Sequence, residues 1–238
     1  MSSRVSYREI KRHVLAQIRS GHWRPGEYIP KEQALADSFG CARMTAHRAL
    51  RELAAEGVVE RRRRSGTRVA LQTARNAIIE IPRVDREIEA TGAQYRYQRI
   101  ARSVVTPAAD VAARLELTAQ QSALRVDCLH YASDVPFQLE QRWINLDTVP
   151  AAEHETFLSQ PANIWLLQRT PWSDVEHVIS ANNASSEIAQ HLEIELGEAL
   201  LVMERRTWLA ERVITFVRQY HPGRFYTLRA GGNDHRPT

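Results

Sequence analysis

The sequence predicts an α+β protein of two domains, in which three helices and a β-hairpin precede a larger unit built on an antiparallel sheet. Three observations support this prediction. The 238 residues exceed the usual size of one domain. Apolar residues recur at helical spacing up to about residue 56, whereas strand-like runs dominate after residue 95. Positive charge is concentrated in the first part of the chain.

The charge distribution divides the chain at about residue 70. Residues 1–70 hold fifteen Lys and Arg against seven Asp and Glu, a net charge of +8, while residues 71–238 hold seventeen against twenty-one, a net charge of −4. A basic module joined to a mildly acidic one is typical of a protein that binds a polyanion with one part. We predict a first domain over 1–70, a linker over 71–80, a second domain over 81–230 and a disordered tail over 231–238.

Several protein classes are disfavoured by the sequence. No apolar run reaches the eighteen or so residues of a membrane span, and the N-terminus lacks the apolar core of a signal peptide, so a cytoplasmic protein without a membrane partner is expected. Cys41 and Cys128 lie far apart and form no CxxC pair, which argues against a disulfide framework or zinc ribbon. His130 lies close to Cys128, but no compact ligand motif joins them to a third group, and neither metal nor cofactor is predicted.

Two helices open the chain. The apolar positions of YREIKRHVLAQI repeat at helical spacing from Tyr7, and the helix ends at Gly21. The Pro-Gly pair of HWRPGEYIP marks a turn. A second helix is predicted to begin near Pro30, with the apolar residues of KEQALADSF on one face, and to end at Gly40. Two short helices around a tight Gly turn favour a helix-turn-helix.

The third helix is predicted from about Ala42 to Glu56. Its core face is built largely of alanines and leucines, which allow close packing on the preceding helix. The opposite face presents Arg48 near the helix start, flanked by Thr45 and His47. In a helix-turn-helix these N-terminal residues of the second helix meet base edges, where arginine bonds bidentately to guanine and a threonine methyl contacts thymine.

A β-hairpin is predicted in VVERRRRSGTRVA, with its turn at Ser65-Gly66. Its four consecutive arginines, which include Arg63 and Arg64, suit phosphate or minor-groove contacts. Either the arginine run or the basic helix alone is compatible with an ordinary solvated surface. Their combination on one small domain predicts DNA binding.

Tyr7, WRPGEYIPKE, FGCARMTAHRAL, EGVVERR and GTRVA together resemble the winged helix of the GntR family of bacterial transcription regulators, over residues 7–70. The resemblance implies double-stranded operator DNA as a partner. The family usually has Ser where Lys31 and Ala42 stand, so Lys31 would meet phosphate as a cation and Ala42 leaves the third helix with a weaker cap. From the resemblance and the residue chemistry together, the predicted DNA-binding residues are Lys31, Glu32, Arg43, Thr45, His47, Arg48, Arg63, Arg64, Gly66 and Thr67.

The remaining chain alternates helix and strand patterns, which predicts an α+β domain around an antiparallel sheet. Helices are predicted in IPRVDREIEATG and PAADVAARLEL and over 150–158, 162–168 and 184–192. Strands are predicted in YRYQRIARSVV, SALRVDCLHYA, VPFQLEQRWIN, EHVISA, ALLVMERRTWL and RVITFVRQYH. Trp143 and Trp208 are assigned to the core.

A row of polar residues interrupts one apolar strand of this domain. Gln138, Glu140 and Arg142 share one strand face because strand residues alternate sides. The face either meets solvent and carries a weak ion pair or lines a pocket that presents an anion-binding and an NH-accepting group. Composition leaves both interpretations open.

The second half contains HYASDVPFQLEQRWIN, VEHVISA, ERRTW and YHPGRFYTL, which resemble the UTRA domain of the HutC branch of the GntR family. The resemblance implies a homodimeric, non-enzymatic repressor of histidine-utilisation genes whose small-molecule effector is urocanate. It implies that Arg142 holds the carboxylate and that Glu140 or Glu176 accepts the imidazole N–H. The further pocket candidates, for which a packing role is equally open, are His130, His177, Tyr220 and Tyr226.

Two alternatives to this function remain open at the level of the sequence. The UTRA fold is similar to that of chorismate lyase, which would make the second domain an enzyme. However, G-x-S-x-G, glycine-rich phosphate loops and H-E-x-x-H are absent, and a catalyst needs no second basic domain. A UTRA sensor for another small metabolite, such as a sugar phosphate, is the second alternative.

Overall fold

The computed structural model describes residues 5–62, 65–70 and 83–227. The predicted linker and tail lie outside the described residues. The N-terminal unit consists of helices α1 (Tyr7–Arg19), α2 (Glu32–Phe39) and α3 (Arg43–Ala55) and of strands β1 (Val59–Arg62) and β2 (Gly66–Val69). Strands β1 and β2 pair antiparallel, which confirms the helix-turn-helix with a hairpin wing.

Capping residues and small side chains determine where the helices of the N-terminal unit begin and end and how closely they pack. A capping box of Ser6 and Glu9 starts α1, because each side chain satisfies a backbone N–H at the helix start. Gly40 adopts φ +59° after α2, a left-handed conformation that glycine reaches without a steric penalty. Ala46 and Ala49 of α3 are fully buried, and their small side chains allow the helices to approach closely.

The second unit consists of helices packed on the two faces of one sheet. It contains α4 (Val84–Ala90), β3 (Tyr95–Val105), α5 (Ala109–Leu115), β4 (Ala123–Ala132), β5 (Val135–Asn145), a 3-10 helix (Pro150–His154), α6 (Ala162–Arg169), β6 (Asp174–Asn183), α7 (Ser186–Leu192), β7 (Ala199–Leu209) and β8 (Arg212–Pro222). The six strands are ordered β3-β4-β5-β8-β7-β6, and each neighbouring pair is antiparallel. This confirms the predicted fold class.

One predicted helix takes another form. The segment over 150–158 is helical only over the five residues of the 3-10 helix. Phe157 adopts φ +53°, a conformation that no right-handed helix contains, so the helical path ends before it.

The two faces of the sheet differ in chemistry. Directly opposed residues of an antiparallel pair share a face. Arg142 and Arg205 both lie opposite Val217, so they share the surface that we call the polar face, together with Glu140. Helix α6 covers this face. The other face carries Phe216 and packs against α5 and α7.

The N-terminal unit contacts the sheet at the end of the β7–β8 hairpin. One continuous apolar cluster includes Leu53 of α3 as well as Leu209 and Ile214 of the sheet. A Cβ atom placed on Gly57 would lie 3.6 Å from the carbonyl oxygen of Ser173. Within the described ranges, no helix has the length and apolar character needed to cross a membrane.

Candidate nucleic-acid interface and buried polar pocket

The start of α3 presents the side chains with which the N-terminal unit can contact a polyanion. Arg43 and Arg48 have side chains that are 66% and 56% exposed. Met44 between them is also exposed, while Thr45 is half-buried. Ala42 occupies the N-cap position with extended backbone angles and offers no side-chain cap. No side-chain cap therefore competes with a phosphate at the start of α3, although the Thr45 N–H already donates to the Ala42 carbonyl oxygen at 2.8 Å.

Glu32 at the start of α2 joins the helices to the wing. Its carboxylate accepts a hydrogen bond from Arg61 at 2.7 Å, lies 2.9 Å from His47 Nδ1 and lies 3.4 Å from Arg43 Nε. Burial by itself would raise the pKa of Glu32, but the hydrogen bond and charge of His47, the charge of Arg61 and the hydrogen bond of Arg43 lower it below its usual value. This carboxylate thus positions cationic groups on α3 and β1.

An open groove between α3 and the wing collects most of the predicted DNA-binding residues. Arg61 and Arg62 were not singled out from the sequence, because the arginine run did not show which members face the groove. Thr67 is only 7% exposed, so its side chain is set back from the surface. Arg63 and Arg64 lie outside the described residues. The groove is lined by Lys31, Glu32, Gln33, Arg43, His47, Arg61, Arg62, Gly66 and Thr67.

Arg48 lies apart from this groove. Its guanidinium stands 3.9 Å from the centre of the Tyr7 ring, and its Nε donates to Glu52 at 3.3 Å. A cation over an aromatic face is held electrostatically. Tyr7 at the start of α1 therefore orients Arg48, which does not line the groove.

The polar face buries an ion pair at its centre. Arg142 Nε donates to Glu140 Oε1 at 2.8 Å, and Gln219 Nε2 donates to Glu140 Oε2 at 3.0 Å. Both charged residues are 1% exposed, so the interpretation of this strand face as solvated is wrong. Burial raises the pKa of the Glu140 carboxyl, but the charge and hydrogen bond of Arg142 outweigh burial and lower it to about 2. Glu140 is ionised at neutral pH.

A second arginine, Arg205 of β7, lies on the same face and was missed by the sequence analysis. It is 1% exposed, and its Nη2 donates to Asn163 Oδ1 at 2.9 Å. The same oxygen lies 3.4 Å from Arg142 Nη2. Burial and the nearby charge of Arg142 lower the pKa of Arg205 to about 9. The sequence ALLVMERRTWL does not distinguish Arg205 from Arg206, because apolar residues alternate onto both faces of this strand.

Histidines flank the ion pair on the polar face. His130 is fully buried, 3.0 Å from the Tyr95 hydroxyl, and burial lowers its pKa to about 4. His221 stacks on Tyr226 with ring centroids 3.7 Å apart, and burial lowers its pKa to about 3. His177 lies opposite Arg205, and burial followed by the charge of Arg205 lowers its pKa to about 4. All three imidazoles are neutral at pH 7.

Cys128, His130 and Glu140 offer ligand atoms within 4.8 Å of one another. These donors do not fit a cation, because both Glu140 oxygens already accept hydrogen bonds and the Arg142 charge lies beside them. Burial also raises the pKa of the Cys128 thiol well above its usual value, which opposes the thiolate that a metal requires.

Two of the predicted effector residues lie on the opposite face of the sheet from the others. Glu176 lies opposite Arg206 and pairs with it on the other face of the sheet. Tyr220 also points to that face, where its hydroxyl donates to Gln141 at 3.2 Å. The sequence shows which residues alternate within one strand but not the register between strands, so the expectation that Glu176 and Tyr220 lie beside Glu140 is wrong.

A narrow cleft opens beside the two arginines of the polar face. Its accessible volume of about 20 Å³ is room for roughly one water molecule. Trp172 lines the cleft, and the next residue, Ser173, lies close to Gly57 of the N-terminal unit, since a Cβ atom placed on Gly57 would be 3.6 Å from the Ser173 carbonyl oxygen. The remaining lining residues are Arg142, Asn163, Leu166, Leu167, Thr170, Arg205, Thr207, Ile214 and Thr215.

Each of the two units matches a known protein family. Residues 6–69 match the model of bacterial regulatory proteins of the gntR family, and residues 90–227 match that of the UTRA domain. A histidine utilization repressor of Pseudomonas putida is 34% identical over 93% of this chain and 90% of its own length. The repressor of the same name from Klebsiella aerogenes is 31% identical over 94% of this chain and 92% of its own.

Solved structures show the same architecture. The C-terminal domain of the histidine utilization repressor from Pseudomonas syringae pv. tomato superposes with a TM-score of 0.56 at 26% identity, covering 59% of this chain and 100% of that one. PhnF from Mycobacterium smegmatis superposes with a TM-score of 0.59 at 20% identity, covering 95% of this chain and 100% of that one. The second likeness bears on the fold alone.

Proposed function

Because the chain belongs to the GntR family of bacterial regulators and carries a UTRA domain, we propose that it is the repressor of histidine-utilisation genes and that urocanate releases it from operator DNA. The chain is a DNA-binding transcriptional repressor and not an enzyme, in keeping with its relatives. The observation that carries the proposal is the combination of a cationic groove on one unit with a buried, charged cleft in the other.

The cationic groove supports double-stranded DNA as the partner. Arg43 at the start of α3 is oriented by Glu32 yet two-thirds exposed, as a base-reading arginine requires. Lys31, Arg61 and Arg62 surround it with positive charge suited to phosphates. Glu32 also pairs with Arg61, which holds this cation at the groove in a defined position.

Fluorescence anisotropy on labelled DNA from upstream of the gene tests this interface. We expect Arg43→Ala to weaken specific binding by about 1–3 kcal/mol relative to wild type. The matched control is Arg114→Ala, because this arginine pairs with Glu204 in the other unit. Equal affinities of the two variants would refute the groove as the DNA-binding surface.

The polar face supports urocanate as the effector. Urocanate carries a planar carboxylate, which suits the two buried arginines, and an imidazole N–H, which suits Glu140 as acceptor. His130, His177 and Tyr226 extend the same side of the domain around this centre. Isothermal titration of the full chain with urocanate, histidine and glucosamine 6-phosphate tests this assignment. Saturable binding of the sugar phosphate without binding of urocanate would contradict it.

Strand β6 supports a homodimer. It is an edge strand of ten residues, and Val178 and Ile179 on its two faces are 41% and 38% exposed. A long edge strand with exposed apolar side chains is a template for pairing with another strand. A second copy of the chain would place two winged helices on half-sites about one helical turn apart.

The size and position of the narrow cleft support the proposal that effector binding is coupled to DNA binding. A ligand larger than one water must widen the cleft, and Trp172 on its wall precedes Ser173, which lies close to Gly57. We propose that the widened state moves the N-terminal unit and disfavours the spacing that DNA requires. By linkage, urocanate must then bind the DNA-incompetent state more tightly than the competent one.

A further inference from the structure

The fully buried charges of the polar face do not balance. Arg142 and Arg205 carry two positive charges, while Glu140 carries one negative charge, and each of the three residues is 1% exposed. The neighbouring imidazoles of His130, His177 and His221 are neutral at pH 7, because burial lowers their pKa values. These side chains together leave one positive charge without a counterion.

The two arginines differ in how well they are hydrogen-bonded. Arg142 donates from Nε to Glu140 and reaches Thr215 and Asn163 with its other two nitrogens, at 3.4 Å each. Arg205 reaches Asn163 with Nη2, whereas its buried Nε and Nη1 have no partner among the residues that the structure describes. The uncompensated charge therefore belongs to Arg205.

Such an arrangement is unfavourable unless a ligand completes it. A buried guanidinium without a counterion costs several kcal/mol, and each unpaired donor adds a desolvation penalty. Arg205 and Asn163 both line the cleft, so an anion that enters it would meet the unpaired donors directly.

Resting on the proposed effector function, we propose that Arg205, rather than Arg142, binds the anionic group of the effector, and that this group is a monoanionic carboxylate. Arg142 is then a positioning residue, which holds Asn163 and the Glu140 carboxylate in place. The single excess charge matches one carboxylate, whereas a phosphate dianion would leave the cleft with an uncompensated negative charge.

This assignment explains how the cleft would select among related carboxylates. Histidine carries the same carboxylate and imidazole as urocanate but adds an ammonium group. That group would need its own acceptor, but Glu140 already accepts from Arg142 and Gln219 and is assigned to the imidazole N–H. Burial of an unpaired ammonium is strongly unfavourable, so the cleft prefers urocanate over histidine.

The test uses Arg205→Met in the full chain, with Arg206→Met as the matched control. Arg206 is the next residue of β7 and pairs with Glu176 on the opposite face. Isothermal titration compares urocanate with its uncharged methyl ester at pH 8. We expect the wild type and Arg206→Met to prefer urocanate at least about 30-fold, and Arg205→Met to lose this preference together with at least about 30-fold in urocanate affinity.

Arg205→Lys keeps the positive charge and provides a second test if the methionine variant does not fold. We expect it to retain the preference for urocanate over the ester with about tenfold weaker binding, since an ammonium lacks the planar set of donors. Without ligand, Arg205→Met should melt no lower than wild type, because an unpaired buried charge has been removed. A lower melting temperature combined with an intact preference for the anion would indicate a structural role instead.

The outcomes separate this inference from the function on which it rests. If Arg205→Met binds urocanate as tightly as wild type, the assignment of Arg205 is overturned and the urocanate sensor stands. If wild type binds inorganic phosphate or glucosamine 6-phosphate but not urocanate, both the carboxylate inference and the proposed effector are overturned. If the wild type binds none of these anions, the assignment of the cleft as an anion-binding site is overturned.

Discussion

Replacing Glu140 by Gln removes the only acid among the fully buried charges that the structure describes on the polar face, and leaves two buried guanidiniums together. Breaking a buried ion pair by removing one partner costs about 3–5 kcal/mol. The pKa of Glu140 gives a second measure, because its fall from the ordinary value of 4.5 to about 2 corresponds to about 3 kcal/mol of stability at neutral pH. Both arguments predict a loss of about 3 kcal/mol for Glu140→Gln at pH 7.

The pH dependence of this loss has a defined sign. The pKa of Glu140 is lower in the folded state than in the unfolded state, so its contribution is complete above about pH 5 and is lost as pH falls toward 2. The difference in the free energy of unfolding between wild type and Glu140→Gln should therefore fall by about half between pH 5 and pH 3.

Urea unfolding of the full chain, followed by tryptophan fluorescence, measures both effects. Four of the five tryptophans lie after residue 83 and report on the second unit. Glu176→Gln is the control, because its exposed pair with Arg206 should contribute at most about 1 kcal/mol. A cost for Glu140→Gln equal to that of Glu176→Gln, or one that does not change with pH, would refute the reasoning.

Three further predictions concern the other surfaces. Ala42→Ser should stabilise the N-terminal unit against urea by about 1 kcal/mol, because the N-cap of α3 gains a side-chain acceptor; no gain would mean that the cap is satisfied otherwise. Arg48→Ala should weaken specific DNA binding by about 1–3 kcal/mol in an anisotropy titration while urocanate binding is retained, and unchanged DNA affinity would exclude Arg48 from the readout. Ile179→Lys on β6 should convert dimers to monomers in sedimentation velocity, and a persistent dimer would place the interface elsewhere.

Much of the fold was predictable because local signals agreed with one another. Helical periodicity and the glycine breaks located α1, α2 and α3 to within a few residues, and the Ser65-Gly66 turn located the wing. Alternation within VPFQLEQRWIN placed Glu140 and Arg142 on one face. The short 3-10 helix over 150–154 was mistaken for a longer helix, since apolar spacing does not reveal a left-handed residue at Phe157.

The buried site was only partly predictable because it depends on register between distant strands. Whether the face of Glu140 meets solvent or core is decided by α6, which follows some twenty residues later. Glu176 and Glu140 carry the same chemistry but lie on opposite faces, a difference fixed by the order β5-β8-β7-β6. Arg205 adjoins Arg206 in sequence, and a pair of arginines in a strand gives no sign that one is buried and the other faces outward.

The most direct test of the account is fluorescence anisotropy of the full chain on labelled DNA from upstream of its own gene, titrated with urocanate at fixed salt. The account predicts tight specific binding that urocanate dissociates, while histidine and glucosamine 6-phosphate do not. Specific DNA binding that is indifferent to urocanate would contradict the proposed effector, and the absence of specific DNA binding would contradict the account as a whole.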